Sequence, residues 1–295
     1  MSGFKHFAIQ GAGNIGVFLA EELLKLKKEG TIERVVILTR GSSSGRDTLS
    51  QLAAQGATIA AVDYTSAPSL TSALVGIDVV ISTVGGAALA TQEPLAAAAK
   101  AANVKLFVPS EYGVVTQGRT EGILAYKNTL HRKLEELKLP YALFYTGPFA
   151  DFIFNPTFGW DRPNGKITIA GEGKTPVSWT TRRDIARFIA YVTTRLSPDQ
   201  LYWKEFPIEG DRKTLNEVAE AYLAKTGKKY EVTHTPRSEL EAALKENPNN
   251  FVAWLKLAWE QGEGLTAKTP EETANKLYPD WNPTPVVDAL IATDP

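Results

Sequence analysis

Three glycines close to the start of the chain have the spacing that phosphate binding requires. A short apolar run leads into Gly11, Gly13 and Gly16, and a segment with apolar residues at helical spacing follows. Gly11 would allow a tight turn, Gly13 would let a pyrophosphate approach the backbone, and Gly16 would let the helix pack closely on the strand. The backbone N–H groups at the helix start, around Asn14 and Ile15, would bind phosphate oxygens. The pattern predicts a dinucleotide site, with an ordinary tight turn as the alternative.

The residues after the second predicted strand distinguish between the two nicotinamide dinucleotides. An NAD-selective site usually has a carboxylate about 20 residues past the glycines. Here the strand is followed by Arg40 and a hydroxyl-rich loop containing Ser42, with no carboxylate before Asp47. A guanidinium matches a phosphate dianion, which an acid would repel. The loop predicts a 2′-phosphate pocket and NADP(H), with a solvated basic loop as the alternative. Asp63, after the third strand, could accept a bond from the adenine amine or cap the following turn.

One lysine lies inside an apolar stripe. The segment Glu121–Lys138 predicts one helix, and at helical spacing Lys127 shares a face with apolar residues. These residues are Ile123, Leu130, Leu134 and Leu137. An ammonium among leucines is costly unless it reaches a partner or a wet cavity, and the alternative is a side chain whose head reaches bulk water. Because this helix follows the fifth predicted strand, close to where a nicotinamide would lie, we expect Lys127 to stabilise an oxyanion, and it could also bind the nicotinamide ribose of the cofactor or relay a proton.

The first half of the chain alternates between predicted strands and helices. The strands are Phe7–Gln10, Arg34–Thr39, Thr58–Val62, Asp78–Ser82, Lys105–Val108 and Tyr141–Tyr145. The helices between them are Ile15–Lys28, Thr48–Gln55, Ser69–Val75, Glu93–Ala102 and Glu121–Lys138. This order predicts an α/β fold, a doubly wound parallel sheet of Rossmann type with ligands at the carboxyl ends of its strands.

The pattern changes after about residue 149. We predict an NADP-binding domain over 1–150 and a smaller α+β substrate domain over 151–295, with about 180–210 returning to the first domain. A strand is expected at Lys166–Ala170 and at Phe206–Ile208. Helices are expected at Arg183–Arg195, from Asp211 to Lys225, at Pro236–Lys245 and at Phe251–Glu260, and the tail Pro279–Pro285 is expected to lie on the surface.

Aromatic side chains in and around this second part could line a pocket for a flat ring. They are Tyr112, Phe149, Phe152, Phe158, Trp160 and Trp179. For each one taken singly, ordinary core packing is the alternative.

The composition excludes several classes of function. The 32 basic and 33 acidic residues give a net charge of −1, so there is no basic surplus for a nucleic acid. There are no cysteines, and His6, His131 and His234 stand far apart, so we expect no metal site. No apolar run approaches the roughly 20 residues of a membrane span. The first strand leaves no room for a signal peptide, and we expect a cytoplasmic monomer or homodimer.

Several motifs together resemble the isoflavone reductase-like, or NmrA-like, branch of the atypical short-chain dehydrogenases. The most specific are Val108–Gly113 and Tyr126–Glu135, the latter followed by Leu139-Pro140-Tyr141. Ser82–Gly85, Gly147–Phe149 and Ile208–Gly210 are also similar to turns of that family. The resemblance implies NADPH binding in a Rossmann-type domain, a C-terminal substrate domain and a catalytic lysine at Lys127. It implies cofactor contacts from Thr83, Val84, Gly85, Gly147, Pro148 and Phe149.

Two departures accompany the resemblance. Gln10 stands where plant reductases of this kind have the first glycine of G-x-x-G-x-x-G, so we expect a reshaped turn that still binds the cofactor. The tyrosine that many short-chain dehydrogenases have four residues before their lysine is absent, because position 123 is Ile.

The expected function is an NADPH-dependent reductase that transfers hydride to a small conjugated or aromatic substrate. Two alternatives remain open at this point. One is a non-catalytic regulatory protein that senses NADP, and the other is a ketone reductase or isomerase on the same scaffold.

Overall fold

The fold is that of a computed structural model, which describes residues 2–40, 46–120, 122 and 124–294, with Arg46 described by its backbone alone. The strands are β1 (His6–Gln10), β2 (Arg34–Thr39), β3 (Thr58–Ala61), β4 (Val79–Ser82), β5 (Leu106–Val108), β6 (Ala142–Tyr145), β7 (Trp160–Asp161), β8 (Lys166–Ala170), β9 (Pro176–Trp179), β10 (Lys204–Pro207), β11 (Asp211–Thr214) and β12 (Glu231–Thr235). The α-helices are α1 (Gly16–Lys28), α2 (Arg46–Ala54), α3 (Ala67–Ala73), α4 (Gln92–Ala101), α5 (Ala125–Glu136), α6 (Arg182–Arg195), α7 (Pro198–Leu201), α8 (Leu215–Thr226), α9 (Arg237–Glu246), α10 (Phe251–Glu260) and α11 (Val286–Ala292).

A five-stranded parallel sheet has the order β3-β2-β1-β4-β5. Its strands are short and rich in Val, Ile and Leu, and β1, β2 and β4 are almost wholly buried, as expected when helices cover both faces. The strand order reverses between β1 and β4, and in such sheets the ligand crevice lies outside the carboxyl ends of those two strands. The predicted doubly wound α/β class is confirmed.

Two compact units divide the chain. The first comprises Met1–Glu111, Thr116–Phe144 and Ile185–Phe206, and it contains the five-stranded sheet. The second comprises Tyr112–Val115, Tyr145–Asp184 and Pro207–Pro295. In the second unit β8 pairs with β12 in parallel and with β7 antiparallel, and β9 pairs antiparallel with β11. The division of cofactor and substrate roles between domains stays a prediction.

Most predicted elements form within one or two residues of their expected bounds, and two expectations are wrong. Asp211–Thr214 is a strand, and helix α8 begins only at Leu215, where Thr214 and Glu217 form a capping box. Helix α5 begins at Ala125, while Glu121 and Ile123 lie outside the described residues. The tail Pro279–Pro285 is mostly exposed, as expected, except that Trp281 is buried and its Nε1 donates to the Asp184 carbonyl.

Neither a membrane helix nor a metal cluster is present in the described part of the chain. None of its helices combines the length and apolarity that crossing a bilayer requires. It also contains no group of three or more His, Asp or Glu side chains that could hold a metal ion.

A buried carboxylate joins β1 and β4 at their amino-terminal ends, opposite the ligand crevice. Asp78 precedes β4 and accepts hydrogen bonds from the backbone N–H of Lys5 and His6, at 2.8 and 3.0 Å, and from Lys105 Nζ at 2.7 Å. Burial raises the pKa of the Asp78 carboxyl, but these hydrogen bonds and the Lys105 charge outweigh burial, so the pKa lies below its ordinary value of 3.8.

We expect Asp78→Asn to lower the free energy of unfolding by about 2 kcal/mol near neutral pH, because hydrogen bonds to a charged group are lost. The carboxylate contributes this stability above its unfolded pKa, and loses it as the pH falls through the lower folded pKa. Urea unfolding at neutral and acidic pH should therefore show the two proteins converging in acid. Asp288→Asn, which removes an exposed partner of Lys225, should cost less than about 1 kcal/mol. If both substitutions lowered the free energy of unfolding equally, the buried Asp78 carboxylate would stabilise the fold no more than an exposed ion pair does.

Candidate cofactor and active site

The glycine turn after β1 is tight on its protein side and open on its other side. Gly11 has φ +92°, which favours glycine. A Cβ on Gly16 would collide with the Gly11 carbonyl oxygen and lie 2.6 Å from Thr83 Oγ1, so α1 can approach β1 this closely only with glycine there. Among the described residues, no atom lies within 4 Å of a Cβ placed on Gly13, which is exposed. The turn therefore leaves room for a ligand beside Gly13.

The start of α1 faces the same opening. Ile15 occupies the N-cap position and has no polar side chain with which to cap the first N–H groups of the helix. Its side chain is buried in the core, so only its backbone can contact a ligand, whereas Asn14 is exposed. These features fit the predicted binding of phosphate oxygens.

Gln10, the departure from the family's glycine pattern, is fully buried at the end of β1. Its Nε2 donates to Thr91 Oγ1 at 2.8 Å, and its Oε1 accepts from Ser82 Oγ at 2.7 Å. The side chain thus ties β1 to β4 and to the 3₁₀ helix Gly86–Thr91. It replaces a glycine without filling the turn that follows.

The predicted residues after β4 border the glycine turn. The Thr83 hydroxyl lies 3.0 Å from the Gln10 carbonyl oxygen and 2.9 Å from that of Gly11. The Val84 carbonyl accepts from Ser110 Oγ at 2.6 Å, which joins this loop to the loop after β5. The described residues leave the space beside Gly85 open as well. The structure therefore brings Thr83, Val84 and Gly85 to the point where the strand order reverses.

Arg40 and Asp63 follow β2 and β3 at the same edge of the sheet. Arg40 is exposed, whereas Ser42 lies outside the described residues. Asp63 accepts from the Thr65 N–H at 2.8 Å and from the Thr65 hydroxyl at 2.7 Å, and these bonds lower the pKa of its carboxyl. The structure thus shows the turn-capping alternative for Asp63. A contact with adenine stays a prediction.

We expect Arg40→Ala to raise the dissociation constant for NADPH by about tenfold or more while changing that for NADH little, because only NADPH carries the 2′-phosphate. Calorimetric titration of both dinucleotides measures this difference. Arg34→Ala, at the opposite end of β2, is the matched control and should leave both constants unchanged. Equal losses of NADPH and NADH affinity would contradict a phosphate contact by Arg40.

The Lys127 ammonium points inward. Its side chain is 12% exposed, and Nζ donates a hydrogen bond to the Glu111 backbone carbonyl at 2.5 Å. Of the apolar residues predicted to share its face, Leu130 and Leu134 are fully buried and Leu137 is partly buried, whereas Ile123 lies outside the described residues. Burial lowers the pKa of Lys127, and the Glu111 carboxylate opposes that fall only in part. The structure does not show the alternative of a head group that reaches bulk water.

A buried carboxylate lies beside this lysine. Glu111 Oε2 is 3.7 Å from Lys127 Nζ and accepts from the Thr116 hydroxyl at 2.6 Å. Glu111 Oε1 accepts from His131 Nε2 at 2.8 Å, and His131 Nδ1 lies 3.0 Å from Gln117 Oε1. Burial raises the pKa of the Glu111 carboxyl, but the Lys127 charge and the bonds from His131 and Thr116 bring it below its usual value.

Sequence reasoning did not find the contributions of Glu111 and His131. His131 is four residues after Lys127, so both side chains lie on one face of α5, and this spacing was a usable signal. Glu111 belongs to the motif Val108–Gly113, but its contact with the helix depends on tertiary structure.

Hydrogen bonds within the first unit connect the glycine turn to the lysine. Ser110 was not predicted to take part in the site. Its N–H donates to Gln92 Oε1 at 2.8 Å, and its hydroxyl donates to the Val84 carbonyl. Tyr126, beside Lys127 on α5, donates to the Leu89 carbonyl at 3.0 Å. The open glycine turn and the inward ammonium of Lys127 are thus both positioned at the carboxyl ends of the strands of the sheet.

Predicted cofactor contacts in the second unit have packing reasons of their own. A Cβ on Gly147, which has φ +64°, would collide with the Ser178 carbonyl oxygen. Pro148 is buried, and its carbonyl accepts from the Thr180 N–H at 3.3 Å. Phe149 is partly buried. Their contact with a cofactor stays a prediction.

The six predicted substrate residues, all in the second unit, have different environments. Trp160 and Trp179 are buried in an aromatic core with Phe154, and Trp179 Nε1 donates to a backbone carbonyl. Core packing, the alternative considered for each aromatic residue, therefore accounts for these two. Tyr112 is mostly buried with φ +37°, whereas Phe152 is 44% exposed.

Phe158 and Trp160 also line a crevice of the second unit. Trp259 and Lys256 border the same crevice, and burial lowers the pKa of Lys256. The crevice is therefore aromatic with one amine at its wall.

The strand order, the glycine turn at its reversal and the helix that follows define a dinucleotide-binding fold of Rossmann type. The chain belongs to the NmrA-like family, whose model matches residues 7–286. It is 30% identical to isoflavone reductase homolog P3 of Arabidopsis thaliana over 97% of each chain. The predicted isoflavone reductase-like, NmrA-like assignment is confirmed.

Solved structures share the fold. Leucoanthocyanidin reductase of Vitis vinifera in complex with NADPH superposes with a TM-score of 0.80 at 23% identity, over 98% of this chain and 99% of that one. AtPrR2 with NADP⁺ and (+)-pinoresinol superposes with a TM-score of 0.82 at 22% identity, over 98% of each chain.

Proposed function

We propose that this chain is an NADPH-dependent reductase that transfers hydride to a small conjugated or aromatic substrate. One observation carries the proposal: the inward ammonium of Lys127 lies at the same edge of the sheet as the open turn at Gly13. The relatives support it, because the leucoanthocyanidin reductase was solved with NADPH and AtPrR2 with NADP⁺ and the aromatic compound pinoresinol.

The residues around the glycine turn fit NADP(H). The open space beside Gly13 and the uncapped start of α1 would hold the diphosphate. Arg40 would bind the 2′-phosphate, and Thr83, Val84 and Gly85 would border the nicotinamide half. When bound, NADPH supplies the hydride. We assign cofactor binding mainly to the first unit and substrate recognition to the second. The aromatic contacts that remain after Trp160 and Trp179 are assigned to the core are Tyr112, Phe149, Phe152 and Phe158.

Lys127 would act on the charge that hydride addition creates. Adding hydride to a conjugated or carbonyl carbon places negative charge on an oxygen, as a phenolate, enolate or alkoxide. A preplaced ammonium in a site shielded from water stabilises that charge strongly, since little reorganisation is needed. Because burial lowers the pKa of Lys127, its ammonium is also a stronger proton donor to the same oxygen than a solvent-exposed lysine would be.

NADPH oxidation, followed by absorbance against a panel of enones, quinones, phenylpropanoids and ketones, tests the proposal. We expect at least one ring-bearing substrate to turn over, and 4-deuterated NADPH to place deuterium on its carbon. The position of the deuterium separates C=C from C=O reduction. Tight NADPH binding with no turnover on any member would instead favour a regulatory protein that senses NADP.

A further inference from the structure

Glu111 is a buried carboxylate whose oxygens are both held by donors of the protein. The side chain is 1% exposed, Oε1 accepts from His131 and Oε2 accepts from Thr116. A buried charge is costly unless it is paired and hydrogen-bonded, and these contacts supply both. The carboxylate is therefore fixed in place before any ligand binds.

The geometry between Glu111 and Lys127 leaves the ammonium available to a ligand. Nζ donates one hydrogen bond, to the Glu111 backbone carbonyl, while the carboxylate stays 3.7 Å away. The described residues thus leave two of its three N–H bonds for a substrate or cofactor oxygen. A carboxylate bonded directly to Nζ would compete for those donors, and the bonds from His131 and Thr116 hold it back.

We infer that Glu111 is a positioning residue for Lys127. The backbone carbonyl of Glu111 orients the ammonium. The carboxylate of Glu111, held by His131 and Thr116, balances the charge of the ammonium without taking up its remaining N–H donors. Among the described residues, Glu111 is the ionisable group whose charge acts on Lys127. The groups that act on Glu111 itself are Lys127 and His131, and the charge of Glu111 reaches Glu205. This inference rests on the proposed function only for its effect on turnover.

The titration of Lys127 itself is the test, and it needs no substrate. The Cε–Nζ NMR correlation of Lys127, assigned by its loss in Lys127→Met, is followed against pH in the full chain. In Glu111→Gln we expect the titration midpoint to fall by about one pH unit or more, because an opposite charge at this range favours the protonated amine. The pH profile of kcat should move in the same direction.

Glu205→Gln is the matched control, since it removes an exposed carboxylate near His131 and Glu111 by the same substitution. Its Lys127 midpoint should stay within about 0.3 unit of the wild type. If Glu111→Gln does not fold, Glu111→Asp carries the test, because the shorter side chain draws the charge away from Nζ and the midpoint should still fall.

An unchanged midpoint in the folded Glu111 variant would overturn the inference. A lowered midpoint in a protein that turns over no substrate would support the inference while contradicting the proposed function, so the two failures are distinguishable.

Discussion

Lys127→Ala is expected to reduce the rate of NADPH-dependent turnover by about two orders of magnitude or more, the usual contribution of a positioned acid–base or oxyanion-stabilising group. NADPH affinity should stay within about tenfold, or ~1.4 kcal/mol, because the diphosphate and 2′-phosphate contacts are made elsewhere. The variant removes the ammonium whose Nζ now reaches the Glu111 carbonyl. Steady-state kinetics and calorimetric titration of NADPH measure the two effects separately.

Lys133→Ala is the control for this prediction. Lys133 lies on the same helix, but its side chain is 45% exposed and pairs with Glu136 on the surface. Its removal should leave both turnover and NADPH affinity unchanged. If Lys127→Ala turned over substrate at the wild-type rate, Lys127 would have no part in the mechanism.

Gly13→Ala is expected to raise the dissociation constant of NADPH by about tenfold or more while leaving the folded protein intact. The described residues leave room for the new Cβ, and Gly13 is not in the left-handed region of φ, so alanine should cost the apoprotein little. The same methyl group would occupy the space through which a diphosphate approaches the backbone. The loss should therefore appear in binding and not in thermal unfolding.

Gly16→Ala is the matched comparison and should give the opposite pattern. Its Cβ would collide with the backbone of Gly11, so α1 and β1 must separate. We expect the free energy of unfolding to fall by about 3 kcal/mol, at the upper end for overpacking, and cofactor affinity to fall with it. Should Gly13→Ala bind NADPH as tightly as the wild type, the diphosphate would not lie at this turn.

The sequence predicted the sheet well because its signals are local. Each of the first six strands is a short, mostly apolar run bounded by turns, and the Rossmann order follows from their alternation with helices. The strand Asp211–Thr214 carries no such signal, because all four of its residues are polar and they lead directly into a capped helix. It forms because it pairs with Pro176–Trp179, which is distant in sequence. The burial of Trp281 depends on a contact with Asp184, almost a hundred residues away.

The candidate site was predictable to the extent that it follows from motifs. The glycine turn, Arg40 and Lys127 were found because spacing alone places them at strand ends or on a helix face. The role of Glu111 was not predicted, because its carboxylate is held by hydrogen bonds from Thr116 and His131 that form only in the folded structure. Trp179 was predicted as a pocket residue, because composition cannot distinguish an aromatic lining from the aromatic core in which it packs.

A crystal structure of the protein with NADP⁺ and the reduced product of a substrate from the panel tests the central claim most directly. The measurement is the distance from Lys127 Nζ to the product oxygen that carries charge during hydride transfer. We predict about 3 Å, with the ammonium still bonded to the Glu111 carbonyl. An amine turned toward bulk solvent, or a product oxygen more than about 6 Å from Nζ with no bridging water, would contradict catalysis by Lys127.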